Sequence, residues 1–416
     1  MTLSYIWLSF FLIAFLIAFI KWAFLNDPMI FKLIVDGIFK SAGDSVDLSL
    51  KLIGIMTLFL GFMSIGEKAG AIRFLSRIVG PFFSRLFPEV PKNHPAMGHM
   101  MMNFSANLLG LDNAATPFGL KAMESLQEIN PKKEVASNAQ LMFLVLHASG
   151  LTIIPVSIIA MRAAVKPPAA NPTDIFIPCM IATFAATVVA LIVVSYKQKI
   201  NLFQPVILAW VLGISALIGG LITYLKIFLD QPGIEQFSSV MSNGIILLIF
   251  LAFLLGGLRK KINVFDAFIE GAKGGFDIAI RIIPYLVAML VAISVLRNSG
   301  AFDYLLEGLS SFFSALGFKT DFVAALPTAI MKPLSGSGAR GMMIDTMTKY
   351  GADSFAGRLS AIFQGTSDTT FYVIAVYFGS VNIRNTRYAI PAMLLADLAG
   401  IITAIAVAYL FFGNSI

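Results

Sequence analysis

Long apolar runs dominate this sequence, and they constrain its fold more than any other feature. A run of about 20 residues spans the hydrocarbon core of a bilayer when it is helical. Nine such runs occur, at residues 4–25, 46–66, 137–160, 174–196, 204–225, 242–258, 276–296, 360–380 and 388–412. Charged residues make up 13% of the chain, against about 25% in soluble domains. The sequence therefore predicts an all-α polytopic membrane protein with about nine transmembrane helices.

Two further apolar segments, 95–123 and 322–348, are interrupted near the middle by Gly, Pro, Asn or Ser. A broken backbone at bilayer depth is tolerated only where protein or water satisfies its amides. We therefore expect two re-entrant helical hairpins. Each follows an amphipathic stretch, 70–79 or 300–309, with its charges on one helical face. Such stretches are typical of helices that lie along the membrane interface.

The second part of the sequence repeats the first. Residues 47–53 align with 277–283, and Gly70-Ala71 aligns with Gly300-Ala301, both at a spacing of 230 residues (277 − 47 and 300 − 70). We therefore predict two repeats, 1–198 and 240–416, joined by a linker, 199–239, that carries one extra helix. One helix between two repeats of four spans inverts the second repeat. Inverted repeats with broken helices characterise a class of secondary transporters.

The basic residues lie at the ends of the apolar runs, where they orient a membrane protein. The net charge of +7 is spread in this way and forms no patch that would suit nucleic acid. Arg73 and Arg77 place the first amphipathic stretch inside, whereas Asp303 and Glu307 suit the outside for the second. The predicted N-terminus is inside and the C-terminus outside. The first run lacks a basic n-region, so we expect a retained helix and not a signal peptide.

The first hairpin is dense in amide and hydroxyl side chains, which are costly to bury unless they are paired. These groups are suited to binding a polar solute, and an intramembrane acid usually marks an ion or substrate pathway. The alternative is a plain turn in which an Asx side chain caps the next helix. The candidate solute ligands are Asn103, Asn107, Asn113 and Thr116, and the candidate ion-coupling residue is Asp112.

The second hairpin carries Ser335, Ser337 and Arg340 in a Gly-Ser-rich turn that also contains Lys332. Backbone N–H groups at the start of a helix attract negative charge, and the two basic side chains reinforce that attraction. We therefore expect this tip to bind a carboxylate or a phosphate. The alternative is that the glycines only allow tight helix packing.

Each hairpin precedes a span with a polar break halfway along, at residues 147–152 and 364–370. So many polar side chains cannot all face lipid, and the breaks are predicted to hold the solute and a coupling ion, H⁺ or Na⁺. A lone intramembrane histidine more often makes a satisfied interhelical bond than carries a proton. The candidate solute ligands are His147, Ser149, Thr152, Gln364, Thr366, Ser367, Thr369 and Thr370, and the ion-coupling candidates are Asp368 and Asp397.

Several longer motifs carry a family resemblance. Residues 86–91, 94–98, 107–123 and 136–139 resemble spore maturation protein A, and residues 281–289, 333–339 and 369–379 resemble spore maturation protein B. Both carry the nucleoside recognition, or gate, domain, which concentrative nucleoside transporters and the membrane part of bacterial ferrous iron transporters share. The resemblance implies an interfacial helix, a hairpin and a broken span, repeated upside down and often working as an elevator. It also implies a bacterial inner (cytoplasmic) membrane, but not nucleosides as the solute.

Together these features predict a secondary transporter or exporter of a small anionic or zwitterionic solute, coupled to H⁺ or Na⁺. The alternative is a non-transporting scaffold or channel subunit that acts with partner proteins. No nucleophile–base pair, phosphate loop or metal-ligand spacing is visible, so neither an enzyme nor a cofactor or metal site is predicted. The predicted partners are the lipid bilayer and a small-molecule solute, with no nucleic acid, and a homodimer is left open.

Overall fold

The computed structural model of the protein describes residues 2–91, 93–110 and 112–413, without the side chains of residues 2, 3, 112–114, 231, 278, 279 and 281. These residues form α-helices and loops but no β-strand, apart from an isolated bridge between Val135 and Asn385. The helices are α1 (Thr2–Phe24), α2 (Ile30–Ala69), α3 (Ala71–Leu86), α4 (Pro95–Leu108), α5 (Asp112–Glu128), α6 (Asn138–Ser149), α7 (Val156–Ala164), α8 (Phe176–Gln198), α9 (Pro205–Phe228), α10 (Gln231–Arg259), α11 (Val264–Asn298), α12 (Ala301–Ala315), α13 (Leu326–Met331), α14 (Gly336–Tyr350), α15 (Phe355–Gly365), α16 (Thr370–Ser380) and α17 (Ala389–Phe412).

Seven of the described helices are long and apolar enough to cross a membrane, namely α1, α2, α8, α9, α10, α11 and α17. They coincide with seven of the nine predicted spans. The remaining two predicted spans are each divided into a pair of shorter helices, α6 with α7 and α15 with α16. The prediction of an all-α polytopic membrane protein is confirmed.

Three of the long helices begin earlier than the apolar runs predict. α2 has 40 residues and α11 has 35, about 60 and 50 Å at 1.5 Å per residue. The predicted starts at 46 and 276 were too late, because hydropathy falls at polar residues such as Asp36 and Lys40 that nevertheless continue the helix. For the same reason α10 begins at Gln231, so the predicted boundary at residue 239 falls inside a helix.

The two longest helices, α2 and α11, pack along each other over much of their length. Gly271 and Gly275 lie one turn apart on α11, at positions where a Cβ would come within 2.3 Å and 2.6 Å of the carbonyl oxygens of Leu60 and Met56. Small residues at such contacts let helix backbones approach closely within a membrane. This pair lies beside the second hairpin, because Gly341 on α14 packs against α11.

Both interrupted segments form helical hairpins whose tips rest on a broken span. The first consists of α4 and α5, and the amide of Ile153, just beyond α6, donates to the carbonyl oxygen of Leu108 at 2.8 Å. The second consists of α13 and α14, and the amide of Phe371, at the start of α16, donates to the carbonyl oxygen of Pro333 at 3.1 Å. Each tip thus satisfies a backbone amide that the break in its own half of the chain leaves open.

Gly110, at the tip of the first hairpin, is a position that only glycine fits. Its φ is +72°, and an added Cβ would lie 2.3 Å from the carbonyl oxygen of Ile154. We expect Gly110→Ala to lower the free energy of unfolding by at least about 1–2 kcal/mol, the cost of a left-handed conformation for a residue with a Cβ. Thermal unfolding of the detergent-solubilised protein measures this.

The control for that substitution is Gly98→Ala, within α4, where a Cβ would meet no atom within 4 Å. Alanine is about 1 kcal/mol more favourable than glycine in a helix interior, so this variant should unfold no earlier than the wild type. Equal melting temperatures for the two variants would contradict the tip geometry.

The order of elements in α1–α8 recurs in α10–α17, with α9 as the extra helix. In both series a long helix ends at a glycine with positive φ, Gly70 or Gly300, and an amphipathic helix, a hairpin, a broken span and a long helix follow. This order is what two repeats would produce. The division into repeats at the stated boundaries stays a prediction.

A fully buried arginine joins the two halves of the chain at one end of the broken spans. Arg162, at the end of α7, donates through Nη2 to Asp174 at 2.8 Å and through Nη1 to the carbonyl oxygen of Ala352 at 2.7 Å. Asp353 accepts from the same Nη2 at 3.3 Å, and Arg358 donates to the second oxygen of Asp174 at 2.8 Å. We call these five residues the first clamp.

The other ends of the broken spans meet in a second clamp, formed by Arg387, Asn138, Ala136 and the bridged pair Val135 and Asn385. Arg387 donates to the carbonyl oxygen of Ala136 at 3.0 Å and to Oδ1 of Asn138 at 2.9 Å. The α6–α7 span runs from the second clamp to the first, and the α15–α16 span runs from the first to the second. The two broken spans are therefore antiparallel.

Candidate functional site

A cavity of about 150 Å³ lies where the two hairpin tips meet the two breaks. Its walls are formed by Asn107, Gly110, Gly150, Thr152, Ile154, Pro155, Val156, Ser157, Ile158, Lys332, Gly336, Arg340, Gln364, Gly365, Ser367, Asp368 and Thr369. Both hairpins and both broken spans contribute to it, so the site belongs to both halves of the chain.

The second hairpin makes one wall of the cavity positive. Lys332 is buried, and Arg340 lies on the first turns of α14. Ser335 caps that helix, because its Oγ accepts from the amide of Gly338 at 3.0 Å. The N-terminus of a helix carries a partial positive charge, and it adds to the two cationic side chains. This wall can hold an anionic group.

Two polar side chains of the second break differ in how they are satisfied. Oε1 of Gln364 has no hydrogen-bond partner among the described residues, on a side chain that is 7% exposed. The hydroxyl of Ser367 interacts with the carboxylate of Asp397, which also accepts from Thr370. An unsatisfied buried polar atom costs about 1–3 kcal/mol, and native structures seldom keep one unless a ligand, an ion or water serves it. Gln364 is therefore suited to contact a bound solute.

Asp368 stands at the point where the two breaks touch. Its amide donates to the carbonyl oxygen of Ala148 at 2.7 Å, and its carboxylate is half exposed. Oδ2 lies 3.6 Å from Nε2 of His147. Behind the break, buried Asp397 accepts a hydrogen bond from Thr370 at 2.7 Å and does not line the cavity. The site thus has one acidic group facing the cavity and a second one behind its wall.

His147 lies at the end of α6 and is 5% exposed. Its Nδ1 is 2.7 Å from Nδ2 of Asn107 and 3.0 Å from Oδ1 of Asn103. Asn103 also donates to the carbonyl oxygen of Ala115 at 2.7 Å. The ring of Tyr377 packs edge-on against the imidazole, with centroids 4.7 Å apart. His147 therefore lies between two amides of the first hairpin and the ring of Tyr377 from the second half of the chain.

The structure brings together many, but not all, of the predicted site residues. Asn107, Thr152, Arg340, Gln364, Ser367, Asp368 and Thr369 line the cavity, whereas Ser149, Ser337, Thr366 and Thr370 do not. Ser149 donates to the carbonyl oxygen of Leu146, and Thr366 to that of Phe363. Their hydroxyls therefore satisfy their own helices.

Three further predictions concern the first hairpin. The side chains of Asp112 and Asn113 lie outside the described residues, so the ion and solute roles predicted for them stay predictions. Thr116 lies on α5 and is not among the residues that line the cavity. Tyr377, which packs against His147, was not predicted, because an aromatic residue within an apolar helix carries no sequence signal of its neighbours.

Comparison with known proteins identifies the chain's relatives. A family model described as nucleoside recognition matches residues 49–165 and 279–384, more than half of the chain. The chain is 45% identical to spore maturation protein B of Bacillus subtilis (strain 168) over 175 residues, 42% of this chain and 97% of that protein. It is 39% identical to spore maturation protein A of the same organism over 161 residues, 39% of this chain and 81% of that protein. No solved structure matches.

These matches confirm the resemblance seen in the sequence. Each of the two segments that match the family model contains one hairpin and one broken span. The segments that match the family model therefore contain the elements that enclose the cavity. None of the matched proteins belongs to an enzyme family.

Proposed function

The chain belongs to the nucleoside recognition family, and from this premise we propose that it is a secondary transporter of a small anionic or zwitterionic solute. The observation that carries the proposal is the unpartnered Oε1 of Gln364 at a cavity with a positive wall. Polar residues buried within membrane spans usually mark a pathway. The solute's anionic group would lie against α14, and its polar groups would reach the second break.

The size of the cavity limits the solute in this conformation. Cavities that enclose drug-sized ligands measure about 300–1,000 Å³, whereas this one measures about 150 Å³. A small carboxylate, an amino acid or a phosphate fits that space better than a nucleoside. The family's description is thus no guide to the solute, and nucleosides serve as competitors in the test.

We further propose that the hairpins and broken spans move together with α8 and α17 as one block against the other helices. Support comes from an apolar groove of about 290 Å³ between α3 and α9 on one side and α4 and α8 on the other. It is lined by Phe82 and Trp210 on the first side and by Phe104 and Phe184 on the second. The groove would give the block room to slide, with H⁺ or Na⁺ supplying the gradient.

We also propose a location and an orientation. The family resemblance and the seven apolar helices support the cytoplasmic membrane of a bacterium. The distribution of basic residues supports an inside N-terminus and an outside C-terminus. Labelling of single cysteines introduced at exposed loop positions 131 and 319, in a Cys179→Ala background, tests the orientation from each side of the membrane.

The experiment that tests transport combines a binding screen with a flux measurement. Thermal shifts of the purified protein are recorded with amino acids, short peptides, dicarboxylates, inorganic phosphate and nucleosides. Any ligand that raises the melting temperature is then tested for counterflow in proteoliposomes. We expect saturable counterflow of an anionic or zwitterionic compound. If no compound showed binding or flux, the alternative of a scaffold or channel subunit would be favoured.

Gln364→Met should separate binding from stability. Because Oε1 has no partner, the loss of this oxygen should leave the melting temperature unchanged or slightly higher. Solute affinity should fall roughly tenfold, the upper scale of one neutral hydrogen bond. Isothermal titration with the solute from the screen measures this. Thr366→Val, whose hydroxyl donates to its own helix, is the control and should bind normally. A large loss of stability in Gln364→Met with unchanged affinity would contradict the assignment.

A further inference from the structure

Two neighbours of His147 require opposite hydrogen-bonding roles, donor and acceptor, of the same ring nitrogen. Asn103 is held by its hydrogen bond to Ala115, so its Oδ1 faces Nδ1 and can only accept. In the orientation that the structure gives it, Asn107 presents Nδ2 to the same Nδ1 at 2.7 Å and donates to it. A ring nitrogen is either a donor or an acceptor, depending on whether it carries a proton. The two amides therefore cannot both be satisfied in one protonation state.

The other ring nitrogen points towards an acid. Nε2 lies 3.6 Å from Oδ2 of Asp368. The phenol-bearing ring of Tyr377 packs against the imidazole, Lys332 and Arg340 line the far wall of the cavity, and Asp397 lies behind the second break. A neutral ring with its proton on Nε2 accepts from Asn107. A protonated ring instead donates to Asn103 and has the carboxylate of Asp368 as its counter-charge.

We propose that the coupling ion is a proton bound by His147, and that its binding shifts the Nδ1 contact from Asn107 to Asn103. This inference rests on the proposed function and assigns a coupling ion to the same site. Asn107 lines the cavity at the end of α4, next to Leu108, whose carbonyl oxygen holds the hairpin tip on the first break. Released from the ring, its amide can donate to the anionic group of the solute.

The proposal fixes the direction in which protonation of His147 changes the affinity for the solute. Protonation frees a donor for the solute, so it raises solute affinity. By linkage, bound solute raises the proton affinity of the ring by the same factor, typically 5–150-fold. Asp368 serves as the counter-charge that makes the imidazolium tolerable inside the membrane. Solute and proton would then cross together.

The chain allows a direct observation of this ring, because it contains three histidines, His94, His99 and His147. In the variant His94→Gln/His99→Gln, a single imidazole remains for ¹⁵N NMR across a pH series, without any solute. We expect the neutral form to carry its proton on Nε2 and to convert to the imidazolium as the pH falls. A neutral form protonated on Nδ1 would overturn the proposal.

Two substitutions in that background should move the titration in opposite directions. Asn107→Ala removes a donor that favours the neutral ring, so the midpoint should rise by about 0.5–1 pH unit, the scale of one hydrogen bond. Asn103→Ala removes an acceptor that favours the charged ring, so the midpoint should fall. Ser337→Ala, at the other tip, should leave it unchanged. If Asn103→Ala does not fold, the Asn107 result decides alone, and a midpoint that stays or falls refutes the exchange.

A flux experiment distinguishes failure of this inference from failure of the proposed function. Proteoliposomes with an internal pH dye are tested with succinate, glutamate, phosphate and uridine. We expect wild-type uptake to carry protons inward, and His147→Gln to carry fewer protons for each solute molecule taken up. If wild-type transport were driven by Na⁺ and independent of pH, the proton assignment would be refuted, whereas the proposed transport function would stand. The expected titration without transport of any compound would support proton binding by the ring and refute the proposed function.

Discussion

Replacing Asp368 with asparagine should lower gradient-driven transport by about 100-fold, the upper range of a 1–3 kcal/mol coupling free energy. Asp368 provides the carboxylate that faces both the cavity and Nε2 of His147. Asparagine keeps the shape and the backbone bond from residue 368 to Ala148 but removes the negative charge. Uptake into proteoliposomes under an imposed ion gradient measures the effect.

The fold of the Asp368→Asn variant should be preserved, because the side chain is half exposed and the backbone carries its contact between the breaks. Its elution in size-exclusion chromatography and its melting temperature should match those of the wild type. Asp277→Asn, exposed on α11, is the matched control and should transport normally. Unchanged, ion-dependent uptake by Asp368→Asn would refute its role in coupling.

Replacing Arg162 with methionine should have the largest effect on stability. The guanidinium is fully buried. Its removal leaves less positive charge beside the carboxylates of Asp174 and Asp353, and it leaves the carbonyl oxygen of Ala352 without its donor. Breaking a buried ion pair by removing one partner costs about 3–5 kcal/mol. Thermal unfolding of the solubilised protein measures the loss.

The control for that substitution is Lys166→Met, four residues along the chain. Lys166 pairs with Asp47 at 2.8 Å, but both side chains are more than half exposed. Exposed ion pairs contribute little to stability, so this variant should unfold at the wild-type temperature. If both variants unfolded alike, the first clamp would not be what holds the halves together.

The breaks and the tips were predictable because each leaves a local mark. A glycine or proline among polar residues within an apolar run signals a helix that ends at bilayer depth, as at Gly150, Pro155 and Gly365. The direction of each polar side chain was not predictable. Ser149 and Thr152 come from the same break, yet Ser149 turns to α8 and Thr152 to the cavity. One residue turns a helix by about 100°, so an uncertain helix end leaves that direction open.

Contacts between the halves were also beyond prediction. Arg162 and Asp353 are far apart in sequence, and neither lies in a periodic pattern that points to the other. A charged residue near the end of an apolar run normally predicts an interfacial position, and burial of Arg162 follows only from the tertiary structure. The same holds for Asn103, Asn107 and His147, which meet because the first hairpin folds back onto α6.

The helix α9 joins two halves that are already held together at both ends of their broken spans. Because one polypeptide carries both halves, they are always synthesised in equal numbers. Neither clamp surface is then produced in excess. A first half made alone would contain Arg162 without the carbonyl group of Ala352 or the carboxylate of Asp353. The covalent connection thus fixes the ratio of the two halves at one to one. Neither half is then present in the membrane without its partner.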